Sequence, residues 1–237
     1  MSVAGLDKIK RIDMQLHFSQ EIENLKTSLI KMASIVDEQV DKVITALESG
    51  NIELCKGIKS KDLEVDAYDN LIQTQCENIL ALFQPVASDL RLVMSAIMIN
   101  NNLERCGDIA VNISQRVKKT GNERSLISES QIIDMARTAQ EMLKNSIDSF
   151  IKNDTELASK VITSDEKVDK LNKQIFNFLV SKMQSNNELI EACTHLVVMS
   201  RHIERMADHA TNIAENLVFY IDAQIIAHRK KLERSGN

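Results

Sequence analysis

Part of this chain occurs twice. Glu104-Arg105-Cys106-Gly107-Asp108-Ile109-Ala110-Val111-Asn112-Ile113 returns 100 residues later as Glu204-Arg205-Met206-Ala207-Asp208-His209-Ala210-Thr211-Asn212-Ile213, with six of the ten positions identical. A second block repeats at an offset of 103, where Asp62-Leu63-Glu64-Val65-Asp66 becomes Asp165-Glu166-Lys167-Val168-Asp169. That offset holds without a gap from Leu29 to Asp66 and gives ten identities, among them Met32/Met135, Ala33/Ala136, Ile44/Ile147 and Leu54/Leu157. A fold for this sequence must therefore be built from one unit used twice.

The unit is helical. The chain has 6 Gly, 1 Pro, no Trp and 3% aromatic residues, so it contains few of the residues that interrupt helices or favour sheet. From His17 to Glu48, apolar residues fall at Leu25, Leu29, Met32, Ile35, Val36, Val40, Val43, Ile44 and Leu47, the three-and-four spacing of a packed helix face. Ser49-Gly50-Asn51 reads as a turn, and Ile52–Phe83 as the second helix, closed by Gln84-Pro85. Pro85–Lys119 is expected as the third helix, with proline in its first turn, ending at Thr120-Gly121-Asn122. The second half repeats the plan with helices over Gln131–Ile151, Thr155–Gln184 and Glu188 to about His228; Lys152-Asn153-Asp154 stands in the register of Ser49-Gly50-Asn51. The predicted architecture is all-α, two three-helix bundles in tandem related by a pseudo-two-fold axis, against an irregular six-helix domain as the alternative. The divisions are an N-terminal extension (1–16), a first repeat (17–121), a second repeat (122–228) and a polar tail (229–237).

Charge and cysteine usage narrow the function. With 34 acidic against 29 basic residues and a net charge of −5, no basic footprint for nucleic acid is expected. Cys55, Cys76, Cys106 and Cys193 are scattered with no C-x-x-C pair, which fits a reducing cytoplasm. Met1 to Gln15 carries charges where a signal peptide needs an apolar run, and the longest apolar stretch, Leu92–Ile99, is far below the roughly 18 residues of a membrane span.

At equivalent positions, each half carries one Asp-x-x-x-Asp and one Glu-x-x-x-Asp. Residues four apart share a helix face, so two packed helices bring four carboxylates to one place. Five acidic pairs at this spacing occur, a number that chance alone supplies, but four of them fall at equivalent positions of the two halves; only Asp37/Asp41 has no echo. Clustered carboxylates repel and call for cations, protonation or water. Arg105 and Arg205 follow the glutamates directly, about 100° round the helix. A hard metal ion is one solution: magnesium, calcium, manganese or ferric iron suits all-oxygen ligands, and zinc less so. Asn112 and Asn212, four residues past Asp108 and Asp208, extend the stripe as ligands or as supporting donors. The alternative is a solvated acidic face. His195, His202 and His228 have no partner pattern and read as structural or solvent-facing, and Cys106 is replaced by Met206 in the second half. No Gly-rich phosphate loop, G-x-S-x-G or H-E-x-x-H occurs, so a nucleophile or general base is not evident.

Gln84-Pro85-Val86-Ala87-Ser88-Asp89-Leu90-Arg91, Leu103-Glu104-Arg105-Cys106-Gly107-Asp108 and Ile203-Glu204-Arg205-Met206-Ala207-Asp208 together resemble the PhoU family of phosphate-uptake regulators, over roughly His17 to Ile221. The resemblance implies multinuclear clusters of iron or another metal at the paired motifs: Asp62, Asp66, Glu104 and Asp108 in one half, Asp165, Asp169, Glu204 and Asp208 in the other. It also implies a non-enzymatic cytoplasmic homodimer at the inner membrane that restrains phosphate uptake and the transcriptional phosphate-starvation response. The implied partners are the ATPase subunit of the phosphate ABC transporter and its sensor histidine kinase. A metal-dependent phosphohydrolase or a carboxylate-bridged redox enzyme is the competing expectation, since multinuclear sites support such chemistry.

Overall fold

The computed structural model describes the backbone of residues 3–120 and 123–223, with side chains from Met14 onward. Six long helices and one short one carry it: α1 Val3–Ser49, α2 Ile58–Phe83, α3 Ala87–Thr120, α4 Arg124–Glu129, α5 Ile132–Lys152, α6 Thr155–Ser185 and α7 Ile190–Asp222. α1, α2 and α3 pack as one bundle, and α5, α6 and α7 as a second. The tandem all-α arrangement is borne out. The apolar face read from α1 is buried at Leu25, Leu29, Met32, Val36, Val40, Val43, Ile44 and Leu47, with Ile35 partly buried against it.

The repeat offset extends to the turns. Gly50 and Asn153, 103 residues apart, both take the left-handed conformation at a helix end, with φ of 77° and 52°. The next residue in each copy is a helix cap: the Asn51 side chain accepts from the Glu53 N–H, and the Asp154 side chain from the Leu157 N–H.

Several boundaries differ from the sequence reading. α1 begins at Val3, so residues 3–16 belong to the first helix rather than to a separate extension, and a 3₁₀ turn over Asn187–Leu189 delays α7 to Ile190. The remaining differences have local reasons. The expected Ile52–Phe83 helix is broken: Ile52–Cys55 forms a 3₁₀ turn, and Gly57 at φ 79° restarts the chain as α2. Pro85 lies before α3 rather than in its first turn, because Gln84 (φ 46°) and Ala87 (φ 50°) bend the backbone on either side of it. Gln131, expected as the first residue of its helix, stands outside α5 at φ 62°. The short α4 is unanticipated; it buries Leu126 and Ile127, and the Arg124 guanidinium donates to the carbonyl of Leu47 at 2.7 Å and to that of Glu48. It thereby satisfies carbonyls that the end of α1 leaves without partners. Gly50 leaves room for that arginine, since a Cβ there would lie 3.3 Å from its side chain. Gly121 and Asn122 of the expected turn, the helix end at His228 and the polar tail 229–237 fall outside the described residues.

The two bundles are not separate beads. α3 packs most extensively against α7, and α1 lies along α5. Ser95 Oγ donates to the Asn216 carbonyl at 3.1 Å and Arg91 Nε to that of Tyr220 at 3.2 Å. Across α1 and α5, Arg137 pairs with Asp41 and Glu48. One continuous apolar core runs through both repeats.

Candidate metal centres

In the first repeat, burial fixes how α2 and α3 face each other. Val65 and Ile72 on α2, and Leu103 and Cys106 on α3, are at most 1% exposed. This turns Asp62 and Asp66 of one helix toward Glu104 and Asp108 of the other. Asp62 and Glu104 are half-buried, whereas Asp66 and Asp108 are exposed. The helices approach closely because Gly107 has no side chain: a Cβ there would lie 2.9 Å from Asp62 Oδ1. A mid-helix glycine costs about 1 kcal/mol relative to alanine. Here that cost goes with the close approach of a carboxylate; Ala207 stands at the equivalent position of the second repeat.

The four carboxylates sense one another. Burial raises the pKa of Asp62, the hydrogen bond from Gln39 opposes it, and the charges of Asp108 and Asp66 add to the rise. Burial also raises that of Glu104; Arg105 opposes, while Asp108, Asp69 and Asp66 add. Two participants escape a reading of spacing. Gln39, 1% exposed on α1, donates from Nε2 to the Ile58 carbonyl at 3.2 Å and to Asp62 Oδ1 at 3.3 Å, and its own Oε1 has no partner. Its counterpart in the repeat is Met142, so the register gives no hint of it. Asp69 belongs to no acidic pair; its Oδ1 accepts from Asn100 Nδ2 at 2.6 Å. Arg105 also differs from expectation. Though it leaves the helix in another direction, its long side chain folds back to 3.3 Å from Glu104 Oε2 and 3.8 Å from Asp108 Oδ2. It is 50% exposed, so it neutralises little of the cluster.

In the second repeat, Asp165 and Asp169 on α6 and Glu204 and Asp208 on α7 are all half-buried, with Val168 and Ile203 beneath them in the core. Arg201 Nη1 lies 3.7 Å from Glu204 Oε1. Arg205 is exposed on α7. Asn212 and His209 face another way, toward the seam between repeats. Asn212 Nδ2 donates to Asn102 Oδ1 at 3.3 Å, and His209 Nδ1 lies 2.9 Å from the same oxygen. Burial, with Arg205 and Arg105 nearby, lowers the His209 pKa to about 4, so its ring is neutral at pH 7. Asn112 is half-buried on α3. Cys106 is fully buried, and burial pushes its thiol up, away from the thiolate a metal would bind.

Among the described residues, no three His, Cys, Asp or Glu side chains converge tightly enough to cage one ion. What the first repeat offers is mutually repelling oxygen donors, with the unpartnered Gln39 oxygen beside Asp62. That donor set fits hard cations that keep much of their own water and take one or two carboxylates each.

The charge balance has a measurable consequence in metal-free protein. A carboxyl whose folded pKa is raised contributes stability that is full below its unfolded pKa and is lost as the pH rises through its folded value. Glu104→Gln should therefore raise the melting temperature of chelator-treated protein at pH 7 and flatten its decline between pH 4 and 7. Thermal unfolding in chelator across that range measures it; a lower melting temperature than the parent at pH 7 would refute the repulsion.

Comparison with known proteins covers both repeats. The family model described as PhoU domain matches residues 29–117 and again 132–217. A phosphate-specific transport system accessory protein PhoU homolog of Aquifex aeolicus is 37% identical over 215 residues, which are 91% of this chain and 97% of that protein. A homolog of the same name from Caulobacter vibrioides is 32% identical over 219 residues, 91% of this chain and 95% of its own. Among solved structures, PhoU from Pseudomonas aeruginosa superposes with a TM-score of 0.81 at 28% identity, covering 87% of this chain and all of that one. The phosphate transport system regulatory protein PhoU from Streptococcus pneumoniae gives 0.80 at 27% identity, covering 88% of this chain and 99% of its own. The two domain matches coincide with the two bundles, and the chain belongs to the PhoU family.

Proposed function

We propose that this protein is a non-catalytic regulator of phosphate uptake that acts through protein contacts, on the ATPase subunit of the phosphate ABC transporter and on its sensor histidine kinase. The observation that carries this reading is the family match over both repeats, to relatives named as accessory and regulatory proteins of phosphate transport. Asp62, Asp66, Glu104 and Asp108 would hold one metal cluster, and Asp165, Asp169, Glu204 and Asp208 the other, with iron the first candidate. Bound cations would supply positive charge that joins α2 to α3 and α6 to α7. The chain's own part is to present the carboxylates on helix faces set by the core.

Among the described residues no helix is long and apolar enough to cross a membrane. In this reading the protein works in the cytoplasm as a homodimer, and its partners hold it at the inner membrane. The test is genetic and biochemical together. In a host whose own copy is deleted, reintroducing the chain should restore repression of phosphate uptake in phosphate-rich medium. An affinity-tagged form should retain the ATPase subunit and the kinase from detergent-solubilised membranes. Uptake that stays derepressed at normal expression levels would overturn the assignment.

A further inference from the structure

The first candidate centre is built with two residues that the second repeat replaces. Gln39 of α1 is 1% exposed, and its Nε2 donates to Asp62 Oδ1 at 3.3 Å and to the Ile58 carbonyl at 3.2 Å. Ile58 and Asp62 are four apart on α2, so one amide spans the turn that presents the carboxylate. Chemistry fixes which way that amide points. Reversed, it would set its oxygen against a carboxylate and a carbonyl, neither of which donates. Gly107 of α3 closes the arrangement from the other side: a Cβ there would lie 2.9 Å from Asp62 Oδ1, 3.4 Å from Gln39 Oε1 and 3.4 Å from Val65 Cγ1.

As packing alone, both residues are unfavourable choices. Gln39 puts an amide oxygen without a hydrogen-bond partner into the interior, and Gly107 is a glycine inside a helix. At the same register the second repeat has Met142 and Ala207, both buried, which avoid these costs. The fold therefore accepts an apolar pair here, and the polar one is accounted for by its effect on Asp62. A carboxylate turns over a broad range about its last bond. Held at one oxygen by Gln39 and packed against Gly107, Asp62 loses that freedom while keeping a second oxygen for a cation. Met142 has no N–H to give, so this device is confined to the first repeat.

We infer that Gln39, seated against Gly107, is a positioning residue for the first metal centre: it holds the Asp62 carboxylate in the orientation that binds the cation. The inference rests on the metal reading given above and extends it to an uncharged residue on a third helix, outside the acidic motifs. Partners that orient metal ligands change metal affinity by about 10–100-fold when they are removed, because the ligand must then be ordered at the moment of binding. The effect belongs to the first centre alone, so the two centres differ in how they are supported although their carboxylates repeat.

The test isolates each centre on the full chain, with Glu204→Ala leaving the first and Glu104→Ala leaving the second. Mn²⁺, a hard cation suited to oxygen donors, is titrated by calorimetry into metal-free protein, and its low-temperature EPR spectrum is recorded at each centre. On the Glu204→Ala background, Gln39→Met should weaken Mn²⁺ by about tenfold or more and alter its EPR spectrum. Gly107→Ala should act in the same direction, because its methyl group displaces Asp62 Oδ1. On the Glu104→Ala background neither substitution should change affinity or spectrum. Both variants should keep cooperative thermal unfolding in chelator, since Met142 and Ala207 already fill these positions of the second repeat. Unchanged affinity and spectrum at the first centre in Gln39→Met would overturn the inference and leave the metal reading standing. Equal losses at both centres would overturn it too, marking Gln39 as a support of the fold rather than of Asp62. No saturable binding of Mn²⁺ or of ferrous iron at either centre would overturn the inference and the metal reading together.

Discussion

Severing the chain between its repeats, at Gly121–Asn122, is expected to leave neither half as a stable folded monomer. The reason lies in what the two bundles share. Leu29 of α1, Ile99 and Leu103 of α3, Phe150 of α5 and Ile213 of α7 line one small common cavity and are each at most 9% exposed. Burial of a large apolar side chain is worth about 1.5–3 kcal/mol, so these five alone represent on the order of 10 kcal/mol. Losing even half of that is comparable with the whole stability of an ordinary domain, about 5–15 kcal/mol. Polar groups add to the loss. Separation strips Ser95 and Arg91 of their carbonyl partners on α7, and Asn102 of His209 and Asn212. Urea denaturation of the separate halves 17–121 and 122–228, with sedimentation to fix their association state, measures this. Each half should be unfolded, or folded only as a self-associated pair that covers its exposed face with a second copy. Mixing the halves should restore cooperative unfolding. A monomeric half that unfolds cooperatively with several kcal/mol of stability would show that the seam is dispensable.

How much of this was open to a sequence reading depends on what repetition preserves. The offset of 103 located Gly50 and Asn153 and the capping residues after them, because turn chemistry is local and both copies kept it. The acidic pairs were legible for the same reason, since residues four apart share a face in any helix. What lay beyond reach depends on distances between helices. Gln39 reaches Asp62 from α1, across 23 positions of chain. Gly107 becomes meaningful only when α2 is found against it. Arg105 defeats a helical-wheel argument because its length outweighs its starting direction.

The second large effect concerns the carboxylates. Glu104→Ala combined with Glu204→Ala is expected to leave the fold intact and to abolish metal binding. Both glutamates are about three-quarters buried at the side chain, at 24% and 23% exposure, yet each stands at the edge of the core rather than within it. Their removal relieves repulsion, so helicity and cooperative unfolding should persist. The parent purified without chelator should carry several metal equivalents by elemental analysis, and the variant close to none. Linkage gives the thermal counterpart. A ligand at 100 times its dissociation constant stabilises the folded state by about 2.7 kcal/mol. For a chain of this size each kcal/mol shifts the melting temperature by about 2–4 °C. Chelation should therefore lower the parent's melting temperature by roughly 5–11 °C and leave the double variant unmoved. Single substitutions should each remove about half of the metal, because the two sets lie on different helix pairs. If the parent holds no metal even after anaerobic reconstitution with ferrous iron, or if the double variant retains the parent's content, the eight carboxylates are solvated faces. The regulatory role would then rest on protein contacts alone.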